Sequence, residues 1–221
     1  MKVIGITGPT GAGKTTALRV LTDLGAEVID CDAVYHELLS GSEQLRAALV
    51  GRFGPGILDG AGNVERKKLG AIVFADKAAL SDLNDITHRF ICAEVERRIA
   101  AARQALRRAA AVDAIALIES GVGEICDVVV GVVAPAQVRV RRIMEREGIS
   151  EEYARSRVAA QKGEDFFRAN CTYLLENGGG ETREAFAEKA RALFEKIVDQ
   201  DWKSSSFRAI VDTRDHTEGG T

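Results

Sequence analysis

The stretch Gly8-Pro9-Thr10-Gly11-Ala12-Gly13-Lys14-Thr15 fits the pattern G-x-x-x-x-G-K-[ST]. These residue types in this order suit the holding of a polyphosphate. Glycine lets a loop bend tightly and point backbone amides inward at phosphate oxygens. The helix that follows adds its positive N-terminal end. Lys14 can reach the β- and γ-phosphates, and the Thr15 hydroxyl is placed to ligate Mg²⁺. Gly8, Gly11, Ala12, Gly13, Lys14, Thr15 and Thr16 are therefore the candidate site for a nucleoside triphosphate and its magnesium ion.

A second candidate is Asp30-Cys31-Asp32. A carboxylate at a strand end can accept a proton from an attacking hydroxyl, or orient it, during phosphoryl transfer. Asp32 can equally cap the helix that follows, with Asp30 simply ending the strand; the two roles are compatible. The third candidate is a run of arginines at 139, 141, 142 and 146, followed by Arg155, Arg157, Gln161 and Lys162. Arginine's planar fork can hold two phosphate oxygens, which suits a lid that closes over a transferring group. The other reading is a solvated helix face paired with Glu145 and Glu147.

These groups need elements to carry them. Residues 2–7 read as a buried parallel strand, 14–24 as a helix stopped by Gly25, and 27–30 as a second strand. Together they make a βαβ unit of about 30 residues, which favours a parallel sheet covered by helices on both faces. In such a sheet the strand C-termini gather along one edge, so Asp32 is expected to face the phosphate loop across the crevice. Residues 32–52 read as helix, 51–62 as a glycine-rich loop and 65–108 as a helical block. Apolar runs at 111–118 and 128–133 read as central strands. A basic helix is expected over 137–146, a helix N-capped by Ser150 next, a last strand at 173–175 and a final helix over 182–198. The fold class is α/β. One domain spans 1–204, and a polar tail follows over 205–221. Trp202 is expected to be a packing anchor.

Composition bounds the partners. The 221 residues are 46% hydrophobic and 29% charged, which excludes a disordered chain. Thirty basic against 33 acidic residues give a net charge of −3. No strong field then recruits nucleic acid or an anionic membrane. Four cysteines without paired spacing argue against zinc and disulfide frameworks, and the start MKVIGITG does not read as a signal peptide. A cytoplasmic setting is the expectation.

Taken together, GPTGAGKTT, the strand-end DCD, ERKKLGAIVF, LNDITH, DAIALIESG, CDVVVGV and RVRRIMEREGIS with AAQK downstream resemble the dephospho-CoA kinase family. They occur in that family's order up to about Gly179. The resemblance implies a P-loop kinase fold with a core, an acceptor-binding helical region at about 33–108 and a lid at about 139–170. It implies ATP-dependent phosphorylation of the ribose 3′-hydroxyl of dephospho-CoA. By position it implies Asp32 as base or hydroxyl positioner, Lys14 on the ATP phosphates and Thr15 on Mg²⁺. It also implies Arg142, accompanied by Arg146, on the transferred phosphoryl group. His36, His88 and Glu119 fall at acceptor-binding positions. This chain has His88-Arg89 for the usual His-Pro, and Ile115-Ala116-Leu117-Ile118-Glu119 for the usual Pro-Leu-Leu-Phe-Glu. The alternatives are a P-loop kinase of another small molecule or nucleotide, and a nucleotide-dependent switch.

Overall fold

The computed structural model describes residues 1–212, with side chains described for residues 1–199. Trp202 and the polar tail from 205 lie outside the described side chains. The chain divides into two compact units: Met1–Val28 with Ala102–Thr221, and Ile29–Ala101.

The first unit is built on a parallel sheet. Strand β1 (Lys2–Thr7) is buried from Val3 onward and is flanked by β3 (Ala109–Asp113) and β4 (Val128–Val133). The five-strand order is β2-β3-β1-β4-β5, with β2 at Ala26–Asp30 and β5 at Tyr173–Glu176. The registers Ile6↔Asp113, Thr7↔Gly131 and Val133↔Glu176 are all parallel. Parallel strands covered on both faces read as continuous apolar runs, and β1, β3 and β4 have that character. Helices α1 (Lys14–Asp23) and α9 (Arg183–Asp212) pack together on this core. Ala17, Val20 and Leu21 share a cluster with Phe186, Ala190, Phe194 and Ile197.

After β4 come α6 (Ala136–Glu147), α7 (Glu151–Ala159) and α8 (Glu164–Asn170). Val140 and Ile143 of α6 bury against Ala154 and Val158 of α7. Ser150 caps α7, accepting a hydrogen bond from the Tyr153 amide at 3.3 Å.

The second unit is helical, with α2 (Cys31–Gly41), α3 (Glu43–Phe53), α4 (Arg66–Val73) and α5 (Lys77–Gln104). Leu45, Leu49, Ile57, Leu69 and Val73 form its core.

Four boundaries differ from the sequence reading. The expected final helix over 182–198 runs as α9 to Asp212, past the expected start of the tail at 205. The expected helix over 32–52 is two helices, broken at Ser42, whose hydroxyl accepts from the Leu45 amide at 3.1 Å and starts α3. The expected strand over 111–118 runs instead from 109 to 113, because pairing with β1 fixes its start, and residues 115–120 form a turn. The glycine-rich segment at 51–62 is only partly loop: α3 takes its first residues and a 3-10 turn occupies Pro55–Ile57.

Candidate active site

The phosphate loop joins β1 to α1, and its conformation is one that only glycine adopts freely. Gly8 has φ +144°, and a Cβ there would run into the Val132 carbonyl oxygen. Gly11 has φ +81°, and a Cβ there would sit 3.0 Å from the carbonyl oxygen of Arg139. The Gly13 N-cap is left-handed and makes no side-chain capping bond. The Thr16 amide donates to the Gly13 carbonyl at 3.0 Å, while those of Lys14 and Thr15 have no carbonyl four residues earlier in the helix to serve and are available to an anion.

Side chains from four other segments converge on this loop, as parallel strands ending along one edge require. Lys14 Nζ donates to Asp113 Oδ1 at 2.5 Å, with 17% and 15% of the two side chains exposed. Asp113 ends β3 directly beside Ile6. Asn177, which follows β5, is buried and donates from Nδ2 to the Ala12 carbonyl at 2.8 Å. Arg142 donates to the Gly11 carbonyl at 3.2 Å and to Asn177 Oδ1 at 3.0 Å. Arg139 Nε donates to the Thr10 carbonyl at 2.9 Å, and its fork also donates to Gln161 Oε1. Gln161 accepts from the Thr10 amide at 3.2 Å and donates to the Thr10 hydroxyl at 3.0 Å.

The arginine run therefore divides. Arg139 and Arg142 turn to the loop, and burial pulls both guanidiniums below their ordinary value. Arg146 donates to Glu147 at 2.5 Å, Arg155 pairs with Glu151 at 2.6 Å, and Arg157 pairs with Glu147. Thr15 is exposed at the start of α1, Thr16 is half-buried, and Ala12 is buried. Glu119 is exposed in the turn after β3.

Within the helical unit, Asp30 and Asp32 have separate surroundings. Asp30 Oδ1 accepts from the amides of Asp32 at 2.9 Å and Ala33 at 3.1 Å, so Asp30 is the cap of α2. Asp32 is exposed in the first turn and its carboxylate is not used as the cap. His36, one turn further on, pairs through Nδ1 with Arg66, and its ring lies 5.7 Å from that of Tyr35. His88 on α5 contacts Cys92 Sγ through Nε2 at 3.3 Å.

Sequence reasoning missed Asp113 and Asn177. Each is a polar residue closing an apolar strand, Asp113 after Ala109–Val112 and Asn177 just past Tyr173–Glu176. That position is the available signal, since strand ends line the ligand edge. Thiol chemistry has no foothold in the first unit. Burial pushes Cys126 up to about 12 and Cys171 up to about 11.

A parallel sheet packed with helices and carrying this loop after its central strand defines a P-loop kinase fold. A solved Thermus thermophilus protein superposes with a TM-score of 0.67 at 28% identity, covering 90% of this chain and 97% of that one. A dephospho-CoA kinase from Campylobacter jejuni superposes with a TM-score of 0.66 at 23% identity, which speaks to the fold alone. The dephospho-CoA kinase family model matches residues 2–183, from β1 to the start of α9. The chain is 34% identical over 200 residues to a Corynebacterium diphtheriae dephospho-CoA kinase, covering 90% of this chain and 99% of that protein. Against the Geobacter sulfurreducens dephospho-CoA kinase it is 37% identical over 179 residues, covering 81% and 91%. The chain belongs to the dephospho-CoA kinase family, a family of phosphate-transferring kinases, and the switch reading falls away.

Proposed function

We propose that this protein transfers the γ-phosphoryl group of ATP to the ribose 3′-hydroxyl of dephospho-CoA, giving coenzyme A and ADP. The family match over residues 2–183 carries this reading, because it spans the loop, the helical unit and the arginine-bearing helices alike.

In this mechanism the amides of Gly11, Gly13, Lys14 and Thr15 cradle the β- and γ-phosphates, and Lys14, which pairs with Asp113 in the loop's surroundings, reaches toward them. Magnesium in phosphate sites takes one or two protein oxygens plus phosphates and waters. The exposed Thr15 hydroxyl fits that need. Held there by Thr15, the ion would offset negative charge on the phosphates. Asp32 takes the proton of the 3′-hydroxyl as its oxygen attacks phosphorus, and the bond to the ADP oxygen breaks in line. Arg142, with Arg146 beside it on α6, offsets charge on the transferring group. The Arg142 fork has five N–H donors and uses two on Gly11 and Asn177, so others remain for phosphate. His36, His88 and Glu119 contact the acceptor.

The roles divide as a core, an acceptor-binding region at 33–108 and a lid at 139–170, within one kinase domain over 1–204. Among the described residues no helix is long and apolar enough to cross a membrane. A cytoplasmic location goes with this reading. The test is a panel of acceptors with labelled ATP: dephospho-CoA, nucleosides and nucleoside monophosphates. Label is expected on dephospho-CoA; transfer to a nucleotide with none to dephospho-CoA would overturn the assignment.

A further inference from the structure

Among the described residues Arg139 is the only buried residue with a charged side chain, 5% exposed on a helix whose neighbouring arginine at 141 points to solvent. Its hydrogen-bond partners are neutral: the Thr10 carbonyl and the Gln161 amide oxygen. Among the described residues no carboxylate lies within ion-pair distance of it. Arg142, three residues on and so on the same helix face, is likewise bonded to the neutral Gly11 carbonyl and Asn177 oxygen. Arg142 also feels the carboxylates of Glu145 and Glu181, whereas Arg139 stands behind the loop with only dipoles to balance it. A buried charge is costly unless an opposite charge answers it, and the low dielectric of the interior magnifies that need. Burial lowers the Arg139 guanidinium with no carboxylate opposing the shift.

In the proposed function the remaining amides of the same loop and Lys14 take a polyphosphate. We propose that Arg139 is a positioning residue for the nucleotide, a buried cation that braces Thr10 and Gly11 from behind and whose charge is balanced by the bound polyphosphate. It touches the loop and not the ligand: the Arg139 carbonyl backs Gly11 and its Nε holds the Thr10 carbonyl. Gln161 completes the arrangement, since one amide orients the guanidinium and Thr10 together. This rests on the reading that the loop takes a nucleoside triphosphate.

Gln161→Glu tests it without disturbing shape. The new carboxylate can accept from Arg139, the Thr10 amide and the Thr10 hydroxyl, and gives Arg139 a counter-charge within the protein. Calorimetric binding of a non-hydrolysable ATP analogue and of AMP is measured, together with the melting temperature of the empty protein. The analogue should bind about tenfold more weakly and AMP less than about threefold more weakly. The empty protein should melt no lower than the parent. Arg139→Met should lose analogue affinity similarly, and Arg139→Lys, which keeps the charge, should stay within about threefold of the parent. Unchanged analogue affinity in Gln161→Glu would overturn the proposal. So would equal losses for analogue and AMP, or an Arg139→Lys protein that folds and binds as poorly as a neutral substitution. If Arg139→Met does not fold, the other two variants decide. No acceptor enters these measurements, so a failure to phosphorylate dephospho-CoA leaves the result intact. Failure of the parent to bind any nucleotide would instead remove the reading beneath it.

Discussion

Replacing Asp32 by asparagine removes a proton acceptor while leaving the helix start intact, because Asp30 accepts both amide hydrogens at the head of α2. For the proposed base this makes a clean experiment. Asp32→Asn is expected to bind ATP as the parent does and to turn over at least ~100-fold more slowly. Calorimetry and a coupled ADP assay on the folded variant read the two quantities; near-normal turnover would defeat the role. The sequence could not separate the two aspartates, since both types cap helices and both occur at strand ends. What separates them is which carboxylate reaches the amides of 32 and 33, a matter of backbone angles at residue 30. Asp113 and Asn177 were hidden for a related reason. Their partners lie 99 and 165 residues away, and the sheet order alone brings them to the loop.

At the scale of elements, the strands and helices flanking the loop were legible because each obeys a local rule. Residues 2–7 are β-branched and buried on both faces, and Gly25 at φ +84° closes the turn after α1. The break at Ser42 was not, because the apolar pattern continues across it and only the capping bond to Leu45 reveals it. The long helix α5 carries its own prediction. Glu94 accepts from Arg97 and Arg98, which hold its carboxyl down at about 2 against an ordinary 4.5. Its pKa is depressed in the folded state, so its stabilisation is present above about 4.5 and is lost as pH falls toward about 2. Melting temperatures of the parent and Glu94→Gln should differ near neutrality and converge across that acid window. Added salt should shrink the difference, because Arg97 is largely exposed. A gap that widens toward acid would contradict the assignment.

For the whole molecule, the α/β class and parallel sheet followed from one βαβ unit and two later apolar runs. The family followed from motifs strung along most of the chain. The contact between α6 and the phosphate loop did not follow, because arginine spacing on α6 shows which residues share a face and not what that face meets. In the structure that face meets the phosphate loop through Arg139 and Arg142, while Arg141 and Arg146 pair with glutamates. The central claim is that this loop, with the base at Asp32, delivers phosphate to a ribose hydroxyl of dephospho-CoA. Incubation of the protein with Mg-ATP and dephospho-CoA, followed by mass analysis and location of the new phosphate, tests it most directly. The account predicts a product heavier by one phosphate, carried on the ribose 3′-oxygen and formed in step with ADP. ADP released with no phosphorylated dephospho-CoA, or phosphate found at another position, would contradict it.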